Sequence, residues 1–242
     1  MSKRIPDIQA LLRLSNYINN DKEAGMTDSQ TQKFLLAHKK PIKAILLVLA
    51  IGLLASAPLL VWFSNVKMQD TWTAIMRTSG LLAFTLITMN LVTGPLSKWF
   101  YKLFKPKQVY YFHITTGATG FALAVMHGVI VFVMAHYRDH PATWLIGPIA
   151  LGLMIVTMSV AANKKRLPQL WRRIHQLNYL IFAAVFVKAV LIGTTLTSKS
   201  ATGTATAIVM SLEALMVVFA TAVRIRSWAS ARAKRQVQAE AE

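Results

Sequence analysis

The sequence predicts an all-α integral membrane protein, built as a bundle of six helical spans. The chain has 242 residues, of which 55% are hydrophobic, and its mean hydropathy is positive at +0.45. Several apolar runs reach the roughly 20 residues that an α-helix needs to cross about 30 Å of hydrocarbon. Basic residues are concentrated between alternate runs, which is typical of loops on one side of a membrane.

Six apolar runs define the predicted spans, which cover residues 42–64, 77–97, 109–135, 143–162, 173–194 and 204–223. The chain then divides into an N-terminal segment (1–41), a six-span domain (42–223) and a basic C-terminal tail (224–242). In the N-terminal segment, apolar residues recur near helical spacing after Pro6 and Asp7. This pattern indicates either an amphipathic helix on the membrane surface or a partly ordered tail.

The distribution of charge predicts the orientation of the spans. The formal net charge is +18, and 22 Lys and Arg residues lie in the two terminal segments and in the loops that follow spans two and four, against four in the opposite loops. Since basic loops stay on the cytoplasmic side, both termini are expected in the cytoplasm. The same distribution argues against nucleic-acid binding, for which the charge would cluster on one soluble face.

The absence of cysteine limits the redox chemistry that the chain itself supports. With no cysteine, iron–sulfur clusters, covalently attached c-type haem and disulfides within the chain are excluded. Neither terminal segment has the roughly 100 residues of a flavin or nicotinamide domain. If the protein moves electrons, another protein or a small molecule must deliver them.

Three histidines in predicted spans suggest a haem site. His113 and His127 lie fourteen residues apart in span three, about 21 Å along one side of a helix, and His175 opens span five. Spans three and five both enter from the cytoplasm, so His113 and His175 share a depth. Two imidazoles from facing helices are good axial ligands for a six-coordinate haem, and we predict haem between spans three and five. The alternative is that these histidines make polar contacts between helices.

Lys188 occupies the position in span five that would face His127 near the outer side. An ionisable side chain within a span costs about 2.5 kcal/mol or more, so a function and a partner are expected. Three interpretations remain open. Lys188 ligates an outer haem iron as a neutral amine, it pairs with Glu213, the one acidic residue deep in the predicted spans, or it contacts a haem propionate or an external acceptor.

Arginines and glycines complete the candidate site. Arg77 lies at the outer start of span two, and Arg172 and Arg173 lie beside His175. All three are candidates to neutralise haem propionates, with membrane-edge anchoring as the alternative. Gly117 and Gly120 in span three allow close approach of a neighbouring helix or of a flat macrocycle.

Three segments carry a resemblance to a known family. They are RTSGLLAFTLITMNLVTGPLSKWF in span two, GATGFALAVMH in span three and LPQLWRRIHQLNYL at the start of span five. Together they resemble the ferric-reductase-like transmembrane domain superfamily, and within it the haem-binding membrane subunits of bacterial methionine sulfoxide reductase systems. The resemblance covers about residues 70–195.

The resemblance implies a b-type cytochrome of the bacterial inner membrane with one or two haem b groups. It implies that His113 and His175 hold the inner haem, that His127 is an outer ligand, and that Lys188 stands where the family has a fourth histidine. The outer haem then has His and Lys ligands, has one open site, or is absent.

The implied function is electron transfer by a membrane subunit that lacks its own flavin or NAD(P)H domain. The donor is a cytoplasmic flavin reductase, with FMN or FAD in that partner, or quinol. The acceptor is a periplasmic redox protein or, if the protein is a direct reductase, ferric ion. The alternative from another class is a transporter or scaffold without redox function that uses Lys188 and Glu213.

Overall fold

The computed structural model describes residues 38–63, 71–134, 145–192 and 201–241. Within these ranges the secondary structure is helical, with no strand. The helices are α1 (Lys39–Trp62), α2 (Thr71–Thr93), α3 (Ser97–Leu103), α4 (Pro106–Val133), α5 (Ile146–Ala162), α6 (Pro168–His175), α7 (Leu177–Ile192) and α8 (Ala201–Ala241). The predicted amphipathic helix of the N-terminal segment lies outside the described residues.

Two units divide the chain, Met1–Val48 and Leu49–Glu242. Of the first, the structure describes residues 38–48, which include the start of α1. The histidines, arginines and ionisable residues singled out above all belong to the second unit, and the site is described within it.

Five helical segments are long and apolar enough to cross a membrane, and they make the chain a multi-pass membrane protein. They are Lys39–Trp62, Thr71–Thr93, Pro106–Val133, Pro168–Leu191 and Ala201–Ala233. The predicted fourth span corresponds to α5, which is apolar but has only 17 residues, about 25 Å of helix. Large apolar side chains on the outside of the bundle, such as Ile149, Leu215 and Phe219, suit a lipid environment.

α2 is the central helix of the bundle. In its apolar window 61% of the residues are buried, against 11–28% in the other four long segments. α4 packs along α2, and α7 and α8 also contact it. Phe84 of α2 stacks on Phe182 and Phe186 of α7, with ring centroids 4.7 Å and 6.3 Å apart. Because α2 touches α4, α7 and α8, its residues line the candidate sites on several sides.

Glycines set the close approach of α2 and α4. A Cβ atom on Gly120 would lie 3.1 Å from the Ile87 side chain and 3.2 Å from that of Leu86, and one on Gly117 would lie 2.8 Å from the Asn90 amide. Of the two explanations for these glycines, the structure supports close helix packing, because side chains of α2 fill the space beside them.

Candidate functional site

His113 and His175 come together at one end of the bundle. His113 lies in the second turn of α4 and His175 is the last residue of α6. Their ring centroids are 6.0 Å apart with an angle of 68° between the planes. Trp171, one turn before His175, stacks on its ring at 5.7 Å. Residues 62 positions apart in sequence therefore form a pair of facing imidazoles, half-buried in the bundle.

Local sequence signals position the two histidines. Pro106 and Pro168 occupy the first positions of α4 and α6, where proline has no lost hydrogen bond and a suitable φ. The Gln108 side chain accepts a hydrogen bond from the backbone N–H of Lys105 at 3.1 Å, which caps α4. At Gln176 the helical path tightens, because Tyr179 N–H donates to the Gln176 carbonyl three residues back. This short turn directly after His175 separates α6 from α7.

The Nδ1 atoms of His113 and His175 have different hydrogen-bonding surroundings. Nδ1 of His113 is buried, and among the described residues it has no hydrogen-bond partner. Nδ1 of His175 lies 3.3 Å from the side-chain amide of Asn178. Since the oxygen and nitrogen of an asparagine amide are interchangeable on rotation, Asn178 can accept a hydrogen bond from the N–H of Nδ1 and leave Nε2 free as a metal ligand.

Asn90 fixes the start of α4 to α2. Its amide nitrogen donates to the backbone carbonyl of His113 and lies 3.4 Å from the Thr116 hydroxyl. The Thr116 hydroxyl donates to the Phe112 carbonyl at 2.8 Å. Asn90 therefore holds the backbone of His113 through its side chain, and its own backbone lies within hydrogen-bonding range of the His113 ring.

A cavity of about 290 Å³ lies beside the histidine pair. This volume is at the lower end of the range for small-molecule pockets. The lining residues come from five helices and from the turns after α2 and α6: Asn90, Leu91, Gly94, His113, Trp171, Arg172, His175, Gln176, Tyr179 and Arg224. Two of them are arginines, so the cavity offers positive charge next to the imidazoles.

Arg224 is a site residue that the sequence interpretation missed. It had been counted only as one of the basic residues of the C-terminal tail, but α8 brings it into the cavity beside His175. Its side chain hydrogen-bonds to Tyr179, whose hydroxyl lies 3.4 Å from the Leu91 carbonyl. Of the two arginines that were predicted beside His175, Arg172 lines the cavity and Arg173 does not. Arg224 and Tyr179 lie far apart in the sequence, so their contact becomes visible only in the folded structure.

His127 lies at the opposite end of α4, in a well-defined setting. Its Nδ1 is 2.8 Å from the backbone carbonyl of Met76 in α2. A carbonyl only accepts, so Nδ1 carries the proton and Nε2 has its lone pair free. The ring rests against Gly80, where a Cβ atom would lie 2.8 Å from Nδ1. A backbone carbonyl that holds Nδ1–H is a common second partner of histidines that bind metal through Nε2.

Lys188 and Glu213 lie in different surroundings. The Lys188 ammonium packs against Gly147 of α5 and is within electrostatic range of His127. Glu213, only 1% exposed, accepts a hydrogen bond from the Thr85 hydroxyl at 2.7 Å. No ion pair joins Lys188 to Glu213 in this structure, in which both side chains are described. The geometry therefore favours the interpretations in which Lys188 acts at the His127 level.

Arg77 lies on α2 next to Met76, the residue that holds His127. Its Nε atom is buried and has no hydrogen-bond partner among the described residues. A buried guanidinium nitrogen without a partner is costly unless an anion or water completes its hydrogen bonds. Arg77 is therefore placed to receive an anionic group at the His127 end of the bundle.

The separation of His113 and His175 fits that of two axial ligands of a haem. A metal between two imidazoles lies about 2 Å from each nitrogen, and each nitrogen lies about 1 Å from its ring centre, so the centroids would be about 6 Å apart. The observed separation is 6.0 Å. Within the described ranges no third His, Cys, Asp or Glu joins the pair. A haem bound here would bring its own four nitrogen ligands. Arg172 and Arg224 supply positive charge for its propionates.

Comparison with models of protein families finds no match, and comparison with curated proteins finds no relative.

Proposed function

We propose that this chain is a b-type cytochrome subunit that carries electrons across a bacterial inner membrane, with both termini in the cytoplasm. The observation that carries the proposal is the His113–His175 pair, with ring centroids 6.0 Å apart between two helices of a membrane bundle. The donor is a cytoplasmic flavin reductase or quinol, and the acceptor is a periplasmic redox protein or ferric ion. The resemblance in spans two, three and five agrees with this proposal.

The chain's own residues have defined tasks in this function. His113 and His175 would hold the iron of haem b, and Asn178 orients the ring of His175 by its contact with Nδ1. Arg172 and Arg224 would neutralise the propionates. Trp171 covers one face of His175 and limits the access of water. When bound, the haem would supply a one-electron carrier.

A second redox level is supported by the setting of His127. It lies about 21 Å from His113 along α4, which is a large part of the roughly 30 Å hydrocarbon thickness. Its Nε2 is free because Nδ1 is bonded to the Met76 carbonyl. At this level Lys188 would bind the iron as a neutral amine or pair with a propionate as an ammonium group, and Arg77 would pair with a propionate.

The direct test is a dithionite-reduced minus oxidised spectrum of the purified protein, with a pyridine haemochrome assay for haem b per chain. We expect a reduced b-type spectrum with one or two haems. Two haems would assign the second to His127 with Lys188 or Arg77 nearby. A protein that contains no haem after expression in a haem-replete host would overturn the proposal.

Replacing Arg224 tests its contact with the inner haem. In Arg224→Gln a positive charge beside the propionates is lost, so the reduced state, which carries one more negative charge, is disfavoured. Because Arg224 is exposed at its outer edge, the expected fall is at most about 60 mV, the equivalent of a tenfold change for one electron. Redox titration followed at the haem absorption bands measures it.

Arg226 provides the matched control for this measurement. It has the same charge on the same helix and is likewise exposed, but it is not part of the cavity lining. Arg226→Gln should leave the midpoint potential unchanged. Equal shifts in the two variants would show that Arg224 acts only through the net charge of the tail.

Lys188→Ala separates the outer level from the inner one. Since Lys188 lies beside Gly147 and His127, this variant should retain the full absorbance of the inner haem. If the protein binds a second haem, its spectrum and potential should change. Absorption and electron paramagnetic resonance spectra measure both effects. Loss of the inner haem in this variant would contradict the assignment of two levels.

A further inference from the structure

Glu213 is a buried carboxyl group that electron transfer through the histidines does not use. It is 1% exposed and lies in the first third of α8. Beside it is a cavity of about 10 Å³, lined by Ser56, Ala57, Leu60, Leu81, Thr85, Thr206, Val209, Met210 and Glu213 itself. A volume of about 10–15 Å³ is the space that one water molecule needs.

Each hydroxyl group around this cavity already donates its hydrogen in a hydrogen bond. Ser56 donates to the Leu53 carbonyl at 2.6 Å, and Thr206 donates to the Thr202 carbonyl at 2.8 Å. Thr85 donates to Oε1 of Glu213 at 2.7 Å. A hydroxyl has one hydrogen, so these oxygens offer only lone pairs to the cavity. The space between them is therefore surrounded by acceptors and needs a donor.

No positive charge balances Glu213 within the described lining. The residues from α1, α2 and α8 that face it are apolar or hydroxyl-bearing, and none of them is titratable. An isolated carboxylate in such surroundings is strongly disfavoured, so the group binds a proton instead. A proton on Oε2 and one water in the cavity provide the donors that the surrounding oxygens lack.

We propose that Glu213 and the three hydroxyl groups of Ser56, Thr85 and Thr206 form a proton-binding site with one bound water, and that its proton occupancy is linked to the arrival of electrons in the bundle. The linkage rests on the proposed function, whereas the site does not. No bond other than the O–H bond of Glu213 forms or breaks, and the proton exchanges with solvent.

The distance from Thr85 to the two histidine levels gives the expected change in the proton affinity of Glu213. On α2 it is five residues from Gly80, which touches His127, and five from Asn90, which touches His113. This corresponds to about 7.5 Å along the axis to either level, and a helix is about 10 Å across. A charge roughly 12 Å away, at an effective dielectric constant of about 20, changes proton affinity by about tenfold. An electron at either level would therefore strengthen proton binding by about that factor.

Infrared spectroscopy of the whole protein tests the site itself, with or without haem. The carbonyl stretching band of a protonated carboxylic acid should be present at neutral pH, move in D₂O and be absent from Glu213→Gln. In Thr85→Val the band should move to higher frequency and the proton affinity should rise by about tenfold or more, because a hydrogen bond to the ionised form is lost. Thr88→Val is the control, since Thr88 is equally buried on α2 but does not line the cavity.

Redox titrations test the linkage. In the haem-containing protein the midpoint potential should fall with rising pH over the range in which the infrared band disappears, and Glu213→Gln should remove that slope. Absence of a Glu213-dependent infrared band overturns the site. A band together with an identical pH slope in wild type and Glu213→Gln overturns only the linkage. A protein without haem overturns the proposed function and the linkage, and the band still decides whether the site exists.

Discussion

His175→Ala should remove the inner haem and leave the protein folded. His175 provides one of two imidazoles 6.0 Å apart, and loss of a direct ligand is more damaging than loss of an outer-shell partner, which already costs about 10–100-fold in affinity. His113→Ala should have the same effect, because in the proposed site the two rings bind one iron. Haem content per chain, measured by pyridine haemochrome, should fall by one for either variant.

His127→Ala is the internal control for this experiment. The residue is on the same helix as His113 and is also half-buried, but it lies about 21 Å away along the axis. It should retain the inner haem completely, while a second haem, if the wild type has one, should be lost. A full inner-haem spectrum in His175→Ala would refute the pairing of His113 with His175 and with it the observation that carries the proposed function.

The positions of the membrane helices follow well from hydropathy. The predicted spans 42–64 and 109–135 agree with α1 and α4 within three residues, and α2 begins six residues before predicted span 77–97. The early start of α2 includes Trp72 and Thr73, which a hydropathy pattern does not distinguish from a loop. Of the six predicted spans, five correspond to segments long and apolar enough to cross a membrane, whereas α5 has only 17 described residues.

The predicted membrane depths put His113 and His175 at the same end of the bundle. The structure places the two residues side by side there. Depth is predictable because basic loops fix the direction of each span. Rotation about the helix axis is not predictable for helices that are apolar on all sides. That is why the sequence left Lys188 and Glu213 as a possible pair, whereas packing turns Lys188 toward Gly147 and Glu213 toward Thr85.

Gly80→Ala should displace His127 and destabilise the protein. An added Cβ atom would lie 2.8 Å from Nδ1 and 2.9 Å from Cε1 of the imidazole, distances that real Cβ contacts do not show. The ring must then move away and lose its hydrogen bond to the Met76 carbonyl. Overpacking of this kind costs about 1–3 kcal/mol. Thermal unfolding in detergent measures the loss, and the spectrum of any outer haem should change with it.

Gly152→Ala separates this steric effect from the general consequence of adding a methyl group to a membrane helix. Gly152 lies in α5, and a Cβ atom there would meet nothing within 4 Å. Alanine favours the helix over glycine by up to about 1 kcal/mol, so this variant should be as stable as the wild type or more stable. The two substitutions are chemically identical and should change stability in opposite directions, because only Gly80 has an imidazole against its backbone. The contrary result is a Gly80→Ala variant that is as stable as the wild type and keeps the hydrogen bond between His127 and Met76. That result would show that close packing of α2 does not hold His127 in place.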